Sequence, residues 1–413
     1  MQYPCIALIL VLLYNYIDNG VIKNMKKTLK DYNYKGKKVI VRCDLNVPMN
    51  SSHITDDTRI IESLSTINYL IKEEAKVIIL SHLGKVKTAE DKVNLTLYPV
   101  YEKLKELLDT NVYFSKYTRG KELEDLVSNL KEGEVLLVEN TRYEDYPDKL
   151  ESTCNDELSK YWAHLGDIFI NDAYGTSHRI HASNVGIAKY LPSAIGHLVE
   201  SEITALDHII KEDTHPFIVV MGGKKISDKT LVIDNLITKC DKIILGGAMC
   251  FTFLAAKNIN TGSSLVDTDN ITYCKNILSK YPDKIVLPLD ILTKDEIVRD
   301  INSLEPDDIG YDIGPKTISL YQSILKNAKR VIINGPMGVF EDPKFSAGTK
   351  SLYETLASNN IETAVGGGDS AASVNALGFG NSFYHISTGG GATLEYLSGK
   401  TLPGIDIISE KEG

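Results

Sequence analysis

The sequence predicts an α/β protein built from two three-layer α/β/α domains with mainly parallel sheets, and three observations carry that expectation. Short runs rich in Val and Ile recur along the chain and end in polar or glycine clusters. Helix-compatible stretches of ten or more residues separate them. Near-continuous apolar strands alternating with helices belong to parallel sheets covered on both faces. Eleven such runs are too many for one ordinary sheet, so the chain divides in two.

The first-half runs are KKVIVRCDLN (37–46), KVIILSHLGK (76–85), NVYFS (111–115), EVLLVENTR (134–142) and DIFINDAYG (167–175). The second-half runs are PFIVVMGGKK (216–225), KIILGGAM (242–249), KIVLPLD (284–290), RVIINGPMG (330–338), ETAVGGGDS (362–370) and FYHISTGGG (383–391). Between the two sets, the amphipathic stretch HLVESEITALDHIIKED (197–213) reads as a connecting helix. Strand ends matter most, because open α/β sheets bind ligands outside the carboxyl ends of their strands.

The two halves end their strands differently. First-half ends carry side-chain donors: Arg42, Asp44 and Asn46, then His82 and Lys85, then Asn140 and Arg142, then Asn171 and Asp172. GTSHRIHAS adds His178, Arg179 and His181, and ITDDTRI adds Arg59. Of the seven arginines, four (42, 59, 142 and 179) lie in or beside these loops. The planar guanidinium fork suits carboxylate and phosphate oxygens, so a cluster of them predicts an anion site, against the plainer reading of surface ion pairs. Second-half ends are backbone: Gly222-Gly223, Gly246-Gly247, Asn334-Gly335-Pro336, Gly366-Gly367-Gly368 and Gly389-Gly390-Gly391. Glycine lets bare N–H groups approach an anion, and a following helix N-terminus adds partial positive charge. In GGGDSAA the glycines fit a polyphosphate, with Asp369 available to a divalent cation and Ser370 to a phosphate oxygen. Lys225 and Lys229 follow Gly222-Gly223 at a spacing that puts them on one face of a helix, beside that loop.

Composition bounds the rest. The 413 residues are 43% hydrophobic and 24% charged, ordinary for a soluble protein with substantial cores. A formal charge of −10 argues against nucleic acid as a partner. Six scattered cysteines (5, 43, 154, 240, 250, 274) form no C-x-x-C pair and read as buried thiols of a reducing compartment. His178 and His181, three apart, are a candidate metal pair with no third ligand nearby. The P-loop, dinucleotide, zincin and nucleophile-elbow motifs are absent; SGKT (398–401) fails because Leu394 stands where the first P-loop glycine belongs. The nine apolar residues CIALILVLL (5–13) fall short of the roughly 20 that span a bilayer, so no membrane role is expected. Residues 1–24 read as a start-site artefact, with Gly20-Val21 encodable by a purine run before Met25; a weak membrane anchor is the alternative.

From about Thr28 to its end the chain resembles phosphoglycerate kinases. VRCDLNVP, SHLGK, NDAYGTSHRIHAS, GGKKISDK, INGPMGVFE, GGGDS and STGGGATLE follow the family's motifs in the family's order. The resemblance implies two Rossmann-like domains joined by a hinge helix and reversible phosphoryl transfer between 1,3-bisphosphoglycerate and ADP, giving 3-phosphoglycerate and MgATP. The implied layout is residues 25–196 plus 399–413 for the phosphoglycerate, 197–213 as connecting helix and 214–398 for the nucleotide, with closure at the hinge. By resemblance the substrate positions are Asp44, Leu45, Asn46, Arg59, His82, Leu83, Gly84, Lys85, Arg142 and Arg179. The nucleotide positions are Gly223, Lys224, Lys225, Lys229, Gly310, Asn334, Gly335, Pro336, Glu341, Gly367, Gly368, Asp369 and Ser370, with Glu341 toward the ribose and Asp369 toward Mg²⁺. Arg59 and Lys229 are the expected partners of the transferring group's equatorial oxygens, assisted by the amides of Gly389, Gly390 and Gly391. Lys85 and Lys224 depart from the usual Arg and Ala, Ser370 from Thr, Ile333 from Trp and Ala248 from Gly. The expected setting is a cytoplasmic monomer. The alternatives are a catalytically impaired, nucleotide-binding relative and a dehydrogenase, the latter lacking its dinucleotide fingerprint.

Overall fold

The computed structural model describes residues 26–50 and 53–411, so the expectations for residues 1–24 lie outside the described residues. Strands β1 (Lys38–Cys43), β2 (Met49–Asn50), β3 (His53–Ile54), β4 (Lys76–Leu80), β5 (Val112–Ser115), β6 (Val135–Val138), β7 (Ile168–Asp172) and β8 (Ser193–Ile195) come first. Six of them form one parallel sheet in the order β5-β6-β4-β1-β7-β8, and β2 pairs β3 as a small antiparallel hairpin. Strands β9 (Phe217–Met221), β10 (Lys242–Leu245), β11 (Ile285–Val286), β12 (Asp290–Thr293), β13 (Val298–Asp300), β14 (Gly310–Ile313), β15 (Arg330–Asn334), β16 (Glu362–Val365) and β17 (His385–Ile386) follow. A second parallel sheet runs β11-β10-β9-β15-β16-β17. Strands β12, β13 and β14 make a separate antiparallel sheet that the apolar-run pattern did not foresee.

Parallel strands need helices on both faces, which is why β1, β4, β6, β7, β9 and β15 are buried along almost their whole length. In the first unit Val39, Val41, Val77, Ile79 and Ile170 meet Ile67 and Leu70 of the helix Thr58–Lys72 in one core. In the second, Val220, Ile244, Val331 and Ile333 pack with Tyr321, Leu352 and Tyr353 from two further helices. Each fully buried aliphatic side chain contributes about 1.5–3 kcal/mol, so these sheets hold the strand ends rigidly enough to position a site.

The described chain falls into two compact units, one running through Ala173 and including Arg179–Glu200 and Pro403 onward, the other Tyr174–His178 and Ser201–Leu402. Residues 174–178, which the sequence groups with the first half, fall in the second unit. In the first unit, residues 403 onward close the structure: Asn171 Nδ2 donates to the Gly404 carbonyl at 2.7 Å, the Lys27 amide donates to the Ser409 carbonyl at 2.8 Å, and Ile405 and Ile408 are buried. A helix spans His197–Lys211, and the boundary between the units falls inside it. Asp172 anchors its start in the first unit, accepting the Leu198 amide at 2.9 Å, and burial raises that carboxyl to about 7. Arg330 closes its end in the second unit, donating to the carbonyls of His208, Ile209, Glu212 and Thr214. One guanidinium thus satisfies carbonyls that a helix C-terminus leaves open.

Candidate functional site

In the first unit the carboxyl ends of β1, β4 and β6 are tied together by side chains. Ser81 Oγ accepts the Leu45 amide at 2.9 Å and donates to the Cys43 carbonyl at 2.8 Å. Asn46 Oδ1 accepts the Gly84 amide at 2.8 Å. Asn140, wholly buried, accepts the Leu83 amide at 3.1 Å and the Arg142 amide at 3.0 Å, and donates to the Leu83 and Leu95 carbonyls, both at 2.7 Å. Loops 44–46, 82–85 and 140–142 are therefore one pre-organised surface. Asn140→Ala should cost about 2–4 kcal/mol of stability, read by chemical unfolding, because it leaves several buried backbone groups without partners.

On that surface Arg59 Nη1 donates to Asp44 Oδ2 at 2.8 Å, keeping a third of its side chain exposed. Arg142 is buried, pairs with Asp145 through one arm and has a buried Nε with no partner. An arginine donor left open is what an anion would satisfy. Lys85 is exposed and forms no ion pair among the described residues, and Arg179 is half-buried. His82 is buried, and burial followed by Arg42, Arg142, His181 and Arg59 holds its pKa well below the usual histidine value. His181 is pushed down to about 3 by burial and then by Arg142, Arg42 and Arg179. Both imidazoles are neutral at physiological pH.

Arg42, one of the four arginines in that cluster, lies beneath the surface and not on it. It is 1% exposed and donates from Nε to Ser183 Oγ at 2.9 Å, from Nη1 to its neighbour's carbonyl, and from Nη2 toward His82 Nδ1 at 3.2 Å. His178 and His181 belong to different units, and the segment between them is not helical, so the spacing does not make a metal pair on one helix face. No group of three or more His, Cys, Asp or Glu side chains gathers as a metal cage among the described residues. Of the cysteines, Cys43, Cys240, Cys250 and Cys274 are buried thiols and Cys154 is half-buried.

In the second unit the glycine loops pack backbone on backbone. A Cβ at Gly222 would lie 1.9 Å from the Pro336 carbonyl oxygen, one at Gly247 2.4 Å from the Gly223 amide nitrogen, and one at Gly335 2.3 Å from the Gly222 oxygen. Their amides are already committed. Gly222 donates to Asn334, Gly223 to Pro336, Gly247 to Met337 and Gly366 to Ile333, while Gly335 donates to Ser370 Oγ at 2.6 Å. Most of these glycines therefore let three loops touch and do not themselves offer N–H groups to an anion, as the sequence reading had them do.

The open amides are elsewhere. Gly367, in the left-handed region at φ 95°, leads into the helix Gly368–Ala376, and among the described residues no acceptor takes the amides of Gly367, Gly368 or Asp369. Gly390 and Gly391 likewise keep theirs, whereas Gly389 donates to Ser387 Oγ at 3.2 Å and packs against Tyr174. Lys225 and Lys229 do not share a helix face, because residues 222–229 form a loop and the helix Thr230–Leu236 starts only after Lys229. Lys229 instead turns back into the loop cluster, its Nζ donating to the Gly222 carbonyl at 2.7 Å and the Asn334 carbonyl at 2.5 Å. Burial lowers this ammonium to about 8, against the opposing pull of Asp369 and Asp228. Asn334 Oδ1 is buried without a partner, and its Nδ2 donates to the Gly366 carbonyl at 3.0 Å. Lys224 and Lys225 are exposed, as are Glu341 and Asp369. Gly310, on β14, sits where a Cβ would lie 2.2 Å from the Phe251 ring, and with Gly247, Tyr311, Asp312 and Met337 it lines a small cleft. The main-chain bond from Val339 to the Tyr311 carbonyl, 2.9 Å, holds the loop carrying Glu341 beside that strand.

The phosphoglycerate kinase family model matches residues 29–400. The chain is 50% identical over 398 residues to the phosphoglycerate kinase of Fusobacterium nucleatum, covering 94% of this chain and 100% of that one. It is 50% identical over 394 residues to that of Listeria welshimeri, with the same coverage. Among solved structures, phosphoglycerate kinase from Coxiella burnetii superposes with a TM-score of 0.84 at 34% identity, over 93% of this chain and 98% of that one. The enzyme from Pyrococcus horikoshii gives 0.80 at 32% identity, with the same shares.

Proposed function

The chain belongs to the phosphoglycerate kinase family, and from that premise we propose which of its residues perform the family's reaction. That reaction is reversible phosphoryl transfer from 1,3-bisphosphoglycerate to ADP, a kinase step of glycolysis with a carboxyl group as acceptor in the reverse direction. In our reading the first unit holds the phosphoglycerate through Arg59, His82, Lys85, Arg142 and Arg179, on loops braced by Asp44, Asn46 and Asn140. The second holds the nucleotide: base over the Gly310 cleft, ribose toward Glu341, and phosphates on the open amides of residues 367–369 and on Lys225 and Lys229.

The observation that carries this assignment is Lys229, a partly desolvated ammonium held at the meeting point of the Gly222 and Asn334 loops. Attack by a β-phosphate oxygen of ADP on the acyl phosphorus forms one P–O bond as the P–O bond to the carboxylate breaks, and the electron pair leaves on that carboxylate. Both nucleophile and leaving group are anions, so no general base is needed in either direction. Catalysis is then positioning and charge neutralisation, with Arg59 and Lys229 on the equatorial oxygens and the amides of Gly390 and Gly391 assisting.

Nucleotide substrates imply a divalent metal, which we take as Mg²⁺. A single exposed carboxylate, Asp369, fits an ion that draws its remaining ligands from phosphate and water. Asp369 would hold the ion, which when bound neutralises charge on the phosphate oxygens. We further take the protein to work as a monomer in the cytoplasm, a reducing setting that fits its free described cysteines.

The test is ADP release from MgATP by the chain starting at Met25, with and without 3-phosphoglycerate. Acceptor-dependent turnover is expected. ATP binding with no acceptor-dependent release would favour the impaired reading and point to Lys85 and Lys224 first.

A further inference from the structure

We propose that Arg42 is a positioning residue that fixes the proton of His82 on Nε2, so that the ring meets substrate as a neutral donor. This rests on the assignment of His82 to the phosphoglycerate site. A guanidinium has only donors, and Arg42 Nη2 lies 3.2 Å from His82 Nδ1. Nδ1 must therefore present its lone pair, and a neutral imidazole then carries its single proton on Nε2.

Arg42 is held so that it cannot release the ring. Its Nε donates to Ser183 Oγ at 2.9 Å and its Nη1 to the Cys43 carbonyl. Ser183 in turn gives its hydroxyl proton to Glu151 Oε1 at 2.5 Å and its amide proton to Oε2 at 2.9 Å. Glu151 and Ser183 are wholly buried, so the chain Glu151–Ser183–Arg42–His82 runs beneath the anion surface and Arg42 does not touch substrate. The titratable groups that face His82 are Arg42, Arg142, His181 and Arg59. The nearby carboxylates are already paired, Asp44 with Arg59 and Asp145 with Arg142. A second proton on His82 would add positive charge beside the guanidiniums of Arg42, Arg142 and Arg59, with Glu151 already engaged by Ser183, which extends the single tautomer across the physiological range.

The test is long-range ¹H–¹⁵N correlation of histidine rings in the full, unliganded protein, with the His82 signals identified by their loss in His82→Gln. A protonated Nε2 and an unprotonated Nδ1, unchanged from pH 5.5 to 8, are expected. Arg42→Lys keeps the buried charge but loses the planar fork. In that variant the proton should divide between the ring nitrogens, and KM for 3-phosphoglycerate should rise about tenfold, a size typical of outer-shell partners, with kcat changed less. A wild-type proton on Nδ1, a ring that titrates in this window, or an undisturbed single tautomer in Arg42→Lys would each overturn the proposal. The spectra need no substrate, so they stand even if the substrate assignment fails.

Discussion

Lys229→Ala should lower kcat by about 10²–10³-fold while the protein remains folded, the loss seen when one preorganised donor to a developing charge is removed. Its ammonium is partly desolvated and held by two carbonyl oxygens, so it is aligned before phosphate arrives. The carbonyls it leaves behind have modest needs: Asn334 O still receives the Gly222 amide at 3.2 Å. Steady-state rates with saturating MgATP and 3-phosphoglycerate, beside a thermal melt, separate the two effects. A fall of less than tenfold would remove Lys229 from the transfer step. The pH dependence carries a definite sign. A lysine lowered to about 8 is charged below that pH and neutral above it. Wild-type kcat/KM for nucleotide, which reports the free enzyme, should therefore decline above about pH 8, and the decline should vanish in Lys229→Ala.

Gly222→Ala should be equally damaging by another route. The added methyl would lie 1.9 Å from the Pro336 oxygen and 2.7 Å from its carbonyl carbon, both of them backbone. No rotamer relieves such a clash, so the 222–223 and 335–338 loops must separate. Lys229 and Asn334 are hydrogen-bonded to those loops and would move with them. Displacement of about 1 Å in a positioning element costs on the order of 100-fold in rate. Calorimetric titration with ADP should show weakened binding, and turnover should fall at least that far even at temperatures where circular dichroism reports a folded chain. Near-normal ADP affinity would mean that the loops part without consequence for the nucleotide.

The sheets were legible because their strands are unbroken Val and Ile runs, and β1, β4, β9, β10 and β15 fall inside the runs so identified. Strand β8 is three residues with a single branched side chain, and β13 is the triplet Val-Arg-Asp with one apolar side chain, so neither had a pattern to find. At the sites, sequence reported which residue types stand at strand ends but not which way their groups face. Arg42 and Arg59 look alike in the chain, yet one points into a buried Ser183–Glu151 pocket and the other, a third exposed, pairs with Asp44. Likewise Gly222 and Gly367 are each one of a glycine cluster. Only a contact more than 100 residues away, with Pro336, shows that Gly222 is needed for packing, while the amide of Gly367 stays open.

The tail that completes the first unit has a consequence for how the protein is made. Everything from Ser201 to Leu402 must leave the ribosome before Gly404 can accept from Asn171 and Ile405 and Ile408 can be covered. At roughly 5–20 residues per second that is a wait of about ten to forty seconds, during which the second unit can complete its own sheet. The nascent first unit spends that interval with an apolar seam uncovered, so the unit synthesised first is the one finished last, and the interval is when a chaperone has most to protect.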